Sequence, residues 1–260
     1  MLRHYMQKNP QPDGMKMEAD LRGATNFNDR SDYSVALMYL GRSKEAVELL
    51  QQLETEQPGQ YFIAANLGTA YELSGNNQEA LRWIKEGIHR NPDSHEGTEW
   101  LHVKILEGKI AQQKDAHHFE NHSVLELLPE KIGYRITIGE EKLSPKELTE
   151  AIQYQLAERL QFVKPPDPAV ASLLFDYAAI EAATKTLESA RSILQMAIAY
   201  GYPSEKVEPL LRLYDRRIAW GKAKQYGVYA LIGALVVCGL YWLRQRGHFV
   251  LSRRDLKQLR

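Results

Sequence analysis

Residues 61–92 read YFIAANLGTAYELSGNNQEALRWIKEGIHRNP, and they determine how the rest of the chain is interpreted. Apolar and small side chains recur at helical spacing on both sides of Gly75, which favours two helices joined by a tight turn. Pro92 cannot continue a helix because it lacks a backbone N–H, so it ends the second one. The stretch therefore predicts a helix–turn–helix unit.

The same arrangement occurs once more, immediately upstream, at a constant offset of 34 residues. A period of 34, built from two helices, a tight turn and a closing proline, is typical of the tetratricopeptide repeat. Residues 27–92 therefore resemble two copies of that repeat, and they cover about a quarter of the chain. The positions that match the family pattern are Gly41, Ala46, Pro58, Leu67, Gly68, Tyr71, Gly75, Ala80 and Pro92.

The two copies depart from the family pattern at a few positions. The second has Ala64 where a tryptophan is frequent and Gly87 where alanine is usual, and the first has Tyr33-Ser34 in place of Leu-Gly. A third, degenerate copy is expected after Pro92, where Asp93 or Ser94 can cap a helix. Solenoids need about three units to bury a continuous core, so the repeat region is assigned to residues 27–122.

The resemblance implies a concave surface lined by the first helix of each pair, suited to an extended peptide or a helix of another protein. Asn66 directly precedes the Leu-Gly of the second copy, where the family often places groove-lining polar residues. The candidate residues for binding such a partner are Asn66, Ala70, Glu99, His102 and Leu106.

Residues 123–143 interrupt the helical pattern. Tyr134, Ile136 and Ile138 alternate with polar residues between two glycines, which indicates a short strand. A lone strand needs a partner. Either it pairs with the segment around residues 124–128 as an inserted hairpin, or it is an extended loop lying across helices.

Residues 144–220 are expected to form a second helical region. Ser144-Pro145-Lys146-Glu147 combines a capping box with proline at the first helical position. Pro165-Pro166 ends that helix, and a helix pair follows over residues 168–183 and 186–200. A last amphipathic helix over 207–220 is separated from the next segment by the polar residues 221–225.

Residues 226–243, YGVYALIGALVVCGLYWL, contain no charged side chain. A helix of this length spans roughly 27 Å, close to the ~30 Å hydrocarbon core of a bilayer, and aromatic residues lie at both ends as at membrane interfaces. The segment predicts a single transmembrane helix. Ala230, Ala234 and Cys238 recur every four residues, a spacing compatible with a homodimer through the anchor.

The flanks leave the membrane orientation open. Six basic residues lie within seventeen positions after the anchor, in the basic tail 244–260, and five lie before it. The first 25 residues contain no apolar run typical of a signal peptide. Residues 1–26 favour a loose N-terminal arm, although residues 7–10 are similar to 89–92, so a truncated repeat is the alternative.

Composition argues against several classes of function. The 33 Lys and Arg balance 33 Asp and Glu, so the basic excess of a nucleic-acid-binding protein is missing. Cys238 is the only cysteine, which leaves no cysteine-based zinc site or thiol nucleophile outside the anchor. His95, Glu99 and His102 have a spacing from which a metal could be ligated on a helix, but a polar groove face is the preferred interpretation. No metal, cofactor or enzymatic activity is expected.

The sequence thus predicts an all-α protein, a tetratricopeptide-like solenoid with a short β or loop insertion and a C-terminal transmembrane helix. The expected function is a membrane-anchored scaffold that presents a concave groove to a protein or peptide partner. The alternative is a structural or assembly subunit that oligomerises through its C-terminal helices. Crosslinking through Cys238 in membranes distinguishes the two, because a disulfide dimer favours assembly.

Overall fold

A computed structural model describes residues 13–127, 136–138 and 141–246. Within these ranges the protein is helical apart from two three-residue strands. The elements are α1 (Gly14–Leu21), α2 (Phe27–Tyr39), α3 (Ser43–Glu56), α4 (Tyr61–Leu73), α5 (Asn77–Arg90), α6 (Glu99–Lys114), α7 (His118–Asn121), β1 (Ile136–Ile138), β2 (Glu141–Leu143), α8 (Pro145–Phe162), α9 (Pro168–Thr184), α10 (Leu187–Ala199) and α11 (Ser204–Gln245). The chain forms two compact units, Met1–Glu208 and Pro209–Arg260.

The 34-residue period of the sequence is present in the helix bounds. Helices α2 and α4 each have 13 residues and begin at Phe27 and Tyr61, while α3 and α5 each have 14 and begin at Ser43 and Asn77. The turn inside each pair has its glycine in the left-handed region, with φ of 74° at Gly41 and 86° at Gly75. Only glycine adopts that conformation without steric cost, so the turn fixes the residue type.

Helices α2, α3 and α4 enclose one apolar core. Its buried members are Leu37, Met38, Ala46, Leu50, Leu53, Ile63, Leu67 and Ala70. Gly68 allows α4 and α5 to approach closely, since a Cβ at this position would lie 2.4 Å from Ile84 Cδ1 and 3.2 Å from the Ile84 backbone nitrogen. The small residue is therefore required by packing rather than by backbone conformation.

Gly68→Ala is expected to destabilise the protein by about 1–2 kcal/mol, because overpacking costs about 1–3 kcal/mol and the gain in helix propensity offsets up to about 1 kcal/mol. Gly221→Ala is the matched control, since a Cβ on this helical glycine meets nothing within 4 Å. Thermal unfolding followed by circular dichroism compares the two variants. A Gly68→Ala protein as stable as the Gly221→Ala protein would contradict the close approach of α4 and α5.

The third helical segment begins later than the sequence suggests. Neither Asp93 nor Ser94 caps α6, because a turn at Ser94–Gly97 with left-handed backbone at His95 and Glu96 intervenes. The helix starts at Glu99, and α7 after it has only four residues. Between the end of α6 and residue 127, where this described range ends, no second helix comparable in length to α3 or α5 is present.

The strand predicted in residues 134–138 is present as β1, but its partner differs from the one considered. It pairs antiparallel with β2, with Ile136 opposite Leu143 and Ile138 opposite Glu141. Val124 and Leu125, from the segment considered as the partner, contact α9 instead, because Val124 N donates to Ser172 Oγ and Leu125 N donates to Asp176 Oδ2, both at 3.0 Å. Residues 128–135 and 139–140 lie outside the described residues.

Helices α8 to α10 begin where the sequence predicts. The capping box of α8 is formed, since Ser144 N donates to Glu147 Oε2 at 2.7 Å and Glu147 N to Ser144 Oγ at 3.2 Å. Leu148, Ile152 and Leu156 are fully buried on one face of α8, as their four-residue spacing indicates. Helix α8 packs against α2, α6 and α9, so it belongs to the core of the first unit.

Two boundaries predicted from the sequence need correction. Part of the supposed loose arm is helix α1, which is capped by Asp13 and tied to the next helix pair by a 2.8 Å ion pair between Glu18 and Arg42. The polar residues 221–225 do not separate two helices, because α11 runs without a break from Ser204 to Gln245. Lysine, glutamine and alanine are good helix formers, so this short stretch continues the helix.

Candidate functional site

Helices α2, α4, α6 and α8 surround a cavity of about 160 Å³ that is open to solvent. The first helices of the successive segments form one side, and α8 forms the other. The polar and aromatic lining residues are Tyr39, Asn66, Thr69, Glu72, His95, Glu99, His102, Tyr154, Gln155, Glu158, Arg159 and Phe162. The cavity is the candidate site because it joins residues that are far apart in the sequence.

The structure brings three of the five predicted groove residues to this cavity. Asn66 is half-buried at its wall, while Glu99 and His102 line it with 5% and 7% of their surface exposed. Ala70 and Leu106 are fully buried in the core instead, because their side chains point between the packed helices. These two positions offer no surface to a partner, which corrects the prediction for them.

Glu72 is the centre of a buried ionic network at the base of the cavity. Its Oε1 accepts hydrogen bonds from Arg159 Nη1 and from Lys109 Nζ at 2.8 Å, and its Oε2 accepts from His102 Nε2 at 2.8 Å. Burial alone would raise the pKa of Glu72, but the charges of Arg159 and Lys109 outweigh it and hold the pKa well below its ordinary range. Three helices, α4, α6 and α8, are thereby joined through one carboxylate.

Glu99 extends the network toward the opening of the cavity. Its Oε2 lies 3.4 Å from His102 Nδ1, and its Oε1 accepts a hydrogen bond from His95 Nδ1. Burial opposes ionisation, yet the hydrogen bonds from His102 and His95 lower the pKa of Glu99 to about 2. Burial also opposes the charging of His102, but Glu72 and Glu99 face its two ring nitrogens and raise its pKa. The two carboxylates on either side of His102 therefore favour its protonated form.

The contacts of α8 cover part of the surface that the first helices would otherwise present. The Phe162 ring stacks on Tyr39 with centroids 4.5 Å apart, and Tyr39 Oη donates to Gln161 Oε1 at 2.6 Å. Gln155 Nε2 donates to Thr98 Oγ1 at 3.1 Å. An internal helix thus lies where a partner was expected to bind, and only the cavity beside it stays open.

The arrangement is suited to hydrogen bonding and charge recognition. Asn66, Thr69, His95, Tyr154 and Glu158 line the part of the cavity whose side chains are half-buried or exposed. The spacing of His95, Glu99 and His102 reflects an ion network, since His95 lies in the turn before α6 and not on the helix. Among the described residues, no three His, Cys, Asp or Glu side chains are placed to hold a metal ion.

Sequence reasoning missed the contribution of α8 and of Glu72. Glu72 is the only charged residue of α4, and a single carboxylate in a largely apolar helix is a usable signal for a buried ion pair. Its partner Arg159 is 87 positions away, so spacing could not have identified the pair.

Helix α11 is long and apolar enough to cross a membrane, and none of its apolar window is buried in the protein. Leu231, Leu235, Val237 and Trp242 each expose more than half of their surface. Large apolar side chains in one exposed, continuous stretch are unusual in a monomeric protein surrounded by water and mark an interaction surface.

Comparison of the chain with protein-family models, with curated proteins and with solved structures gives no match.

Proposed function

We propose that the protein is a membrane-anchored scaffold of the tetratricopeptide type that binds a segment of another protein in the cavity between α4, α6 and α8. The observation that carries this proposal is that the first helices of three successive segments, α2, α4 and α6, line one open cavity. The exposed apolar segment 226–243 supplies the anchor, and the bilayer is its partner.

The accessible lining residues determine what kind of segment fits. Asn66 and Tyr154 carry side chains that both donate and accept hydrogen bonds, as a peptide backbone requires. Because α8 occupies the neighbouring surface, the site has room for a few residues of a partner rather than for a long helix. Recognition would therefore involve a short extended segment.

Site-specific photocrosslinking of the full-length chain in intact membranes tests this proposal. A benzophenone amino acid at position 66 is expected to form an adduct with another protein, whereas the same group at Gln78, which is exposed on α5, is not. Asn66 is a better probe than His102, because replacing the buried His102 disturbs the ion network. Adducts at both positions, or at neither, would contradict a partner-binding cavity.

Helix α8 covers part of the surface that the first helices would otherwise present to a partner. This favours a second candidate function, a structural or assembly subunit. In that case the helices up to residue 208 mainly pack on themselves, and the anchor carries oligomerisation. Oxidative crosslinking through Cys238, the only cysteine, separates the two candidates in membranes. A disulfide-linked dimer together with no adduct at position 66 supports assembly, and the reverse supports the scaffold.

A further inference from the structure

The part of α11 that directly precedes the apolar segment is strongly basic. Residues 209–225 carry Arg212, Arg216, Arg217, Lys222 and Lys224 against the single acidic residue Asp215. Five basic residues against one acidic residue contrast with a chain whose total charge is zero. The excess of positive charge is therefore concentrated beside the apolar segment, on this side and in the basic tail 244–260.

The helix geometry places this charge at the level of lipid headgroups. With a rise of about 1.5 Å per residue, Lys222 and Lys224 lie within about 6 Å of Tyr226, and Arg217 lies about 14 Å from it. The headgroup layer is roughly 5–8 Å thick on each side of the hydrocarbon, and the Debye length adds about 8 Å. Arg216, Arg217, Lys222 and Lys224 are thus within electrostatic range of the bilayer surface when 226–243 is inserted, whereas Arg212, at about 21 Å from Tyr226, is not.

The basic side chains before the apolar segment are exposed and are accompanied by an exposed tryptophan, as expected at a membrane–water interface. Arg216, Arg217, Lys222 and Lys224 are exposed, and Trp220 among them exposes 70% of its surface. Lys224 Nζ lies 5.8 Å from the centroid of the Trp220 ring. An exposed tryptophan about 9 Å before the apolar segment is at the depth where aromatic rings favour the headgroup layer.

We propose that the segment 216–224 binds anionic phospholipid headgroups in the leaflet where the membrane-spanning part of α11 begins. The proposal rests on the anchor of the proposed function and adds a lipid class to it. Phosphate groups provide the charge complement, and each basic side chain near an anionic surface strengthens binding by about fivefold. Clusters of four to eight Lys and Arg next to a membrane helix are the sequence sign of such recognition.

Electron spin resonance on the reconstituted full-length protein tests the lipid selectivity. The chain is placed in phosphatidylcholine vesicles with a trace of spin-labelled phosphatidylglycerol or spin-labelled phosphatidylcholine, and the motionally restricted fraction of each label is measured. We expect phosphatidylglycerol to associate at least about fivefold more strongly, and this preference to vanish in about 1 M salt because screening weakens surface charge.

A charge-neutralised variant and a matched control localise the effect. Changing Arg216, Arg217, Lys222 and Lys224 together to glutamine is expected to lower the preference severalfold, and the remainder is due to the basic residues of 244–260. The control changes four other exposed basic residues, Arg22, Lys44, Lys85 and Lys146, to glutamine and is expected to leave it unchanged. Because the salt series uses the unaltered chain, it remains informative even if the variant reconstitutes poorly.

The outcomes separate the lipid proposal from the anchor. A chain that resists extraction by alkaline carbonate but associates equally with both labels overturns only the lipid selectivity. Extraction of the chain by carbonate overturns the anchor and the lipid proposal together. An undiminished preference in the glutamine variant also overturns the proposal, because the selectivity would then come from basic residues elsewhere, such as those of 244–260.

Discussion

Arg159→Met is expected to lower the free energy of unfolding by about 3–5 kcal/mol, the usual cost of breaking a buried ion pair. Arg159 Nη1 donates to Glu72 Oε1, and the two side chains are only 7% and 3% exposed. Removing the guanidinium leaves the Glu72 carboxylate buried with Lys109 and His102 as its remaining partners. Methionine retains an unbranched side chain that fills much of the same space, so the change reports mainly on charge.

Thermal unfolding of the full chain in detergent, followed by circular dichroism, measures the effect. For a protein of this size, 1 kcal/mol corresponds to roughly 2–4 °C, so the midpoint should fall by on the order of 10 °C. The control is Arg30→Met, which breaks a pair with Glu56 at 2.7 Å whose side chains are 22% and 48% exposed. Such a surface pair contributes about 0–1 kcal/mol, so the control should remain near the unaltered midpoint.

A double variant distinguishes loss of charge balance from loss of packing. If Arg159→Met acts by breaking the ion pair with Glu72, Glu72→Gln weakens the same interaction, and the double variant should be less destabilised than the sum of the two single variants. Additive losses would contradict the ionic explanation and indicate that the Arg159 stem contributes by packing.

The parts of the fold that the sequence predicts are those governed by local rules. Gly75 marks a turn because its φ is positive, Ser144 marks a helix start because of its capping box, and Pro58 follows the end of a helix. Because the sequence repeats after 34 residues, the same turn and helix-end residues recur in the next helix pair. Local chemistry of this kind is readable without knowledge of what the helices contact.

The candidate site is less accessible to prediction because it depends on contacts that are distant in the chain. Helix α8 reaches the cavity through Gln155, Arg159 and Phe162, and nothing in its four-residue apolar pattern indicates which surface it covers. Ala70 fitted the expected groove by repeat position alone, yet it is fully buried. Repeat position identifies the helix that lines a surface, but the depth of each side chain follows from tertiary packing.

Asp176→Asn is expected to stabilise the protein above about pH 7 and to have little effect near pH 4. Asp176 is 2% exposed, and burial raises its pKa to about 7 although Ser123 and the Leu125 N–H donate hydrogen bonds to its carboxylate. The charge of Glu126 raises the pKa further, and the Tyr202 hydroxyl is the other titratable group beside it. At neutral and higher pH the fold therefore holds a poorly solvated negative charge on α9.

The sign of the pH dependence follows from the two pKa values of this one group. Between the ordinary value of 3.8 and the folded value of about 7, the folded state binds more protons than the unfolded state, so stability falls as pH rises through this window. The raised pKa of Asp176 corresponds to a loss of about 4 kcal/mol in the free energy of unfolding once the pH exceeds 7. Asparagine does not titrate, and its carbonyl oxygen can still accept from Leu125 N, so the variant escapes this loss.

Unfolding midpoints of the unaltered chain and of Asp176→Asn, measured from pH 4 to pH 8, provide the test. The raised pKa values of His95 and His102 add stability that is complete below about 6.5 and lost as pH rises through their folded values, but this contribution is common to both proteins. The difference between the two midpoints therefore isolates Asp176 and should grow toward pH 8. Asp32→Asn, at an exposed position, controls for loss of a surface carboxylate. If the difference between the two midpoints stays constant from pH 4 to pH 8, ionisation of Asp176 does not destabilise the folded state, and the prediction is wrong.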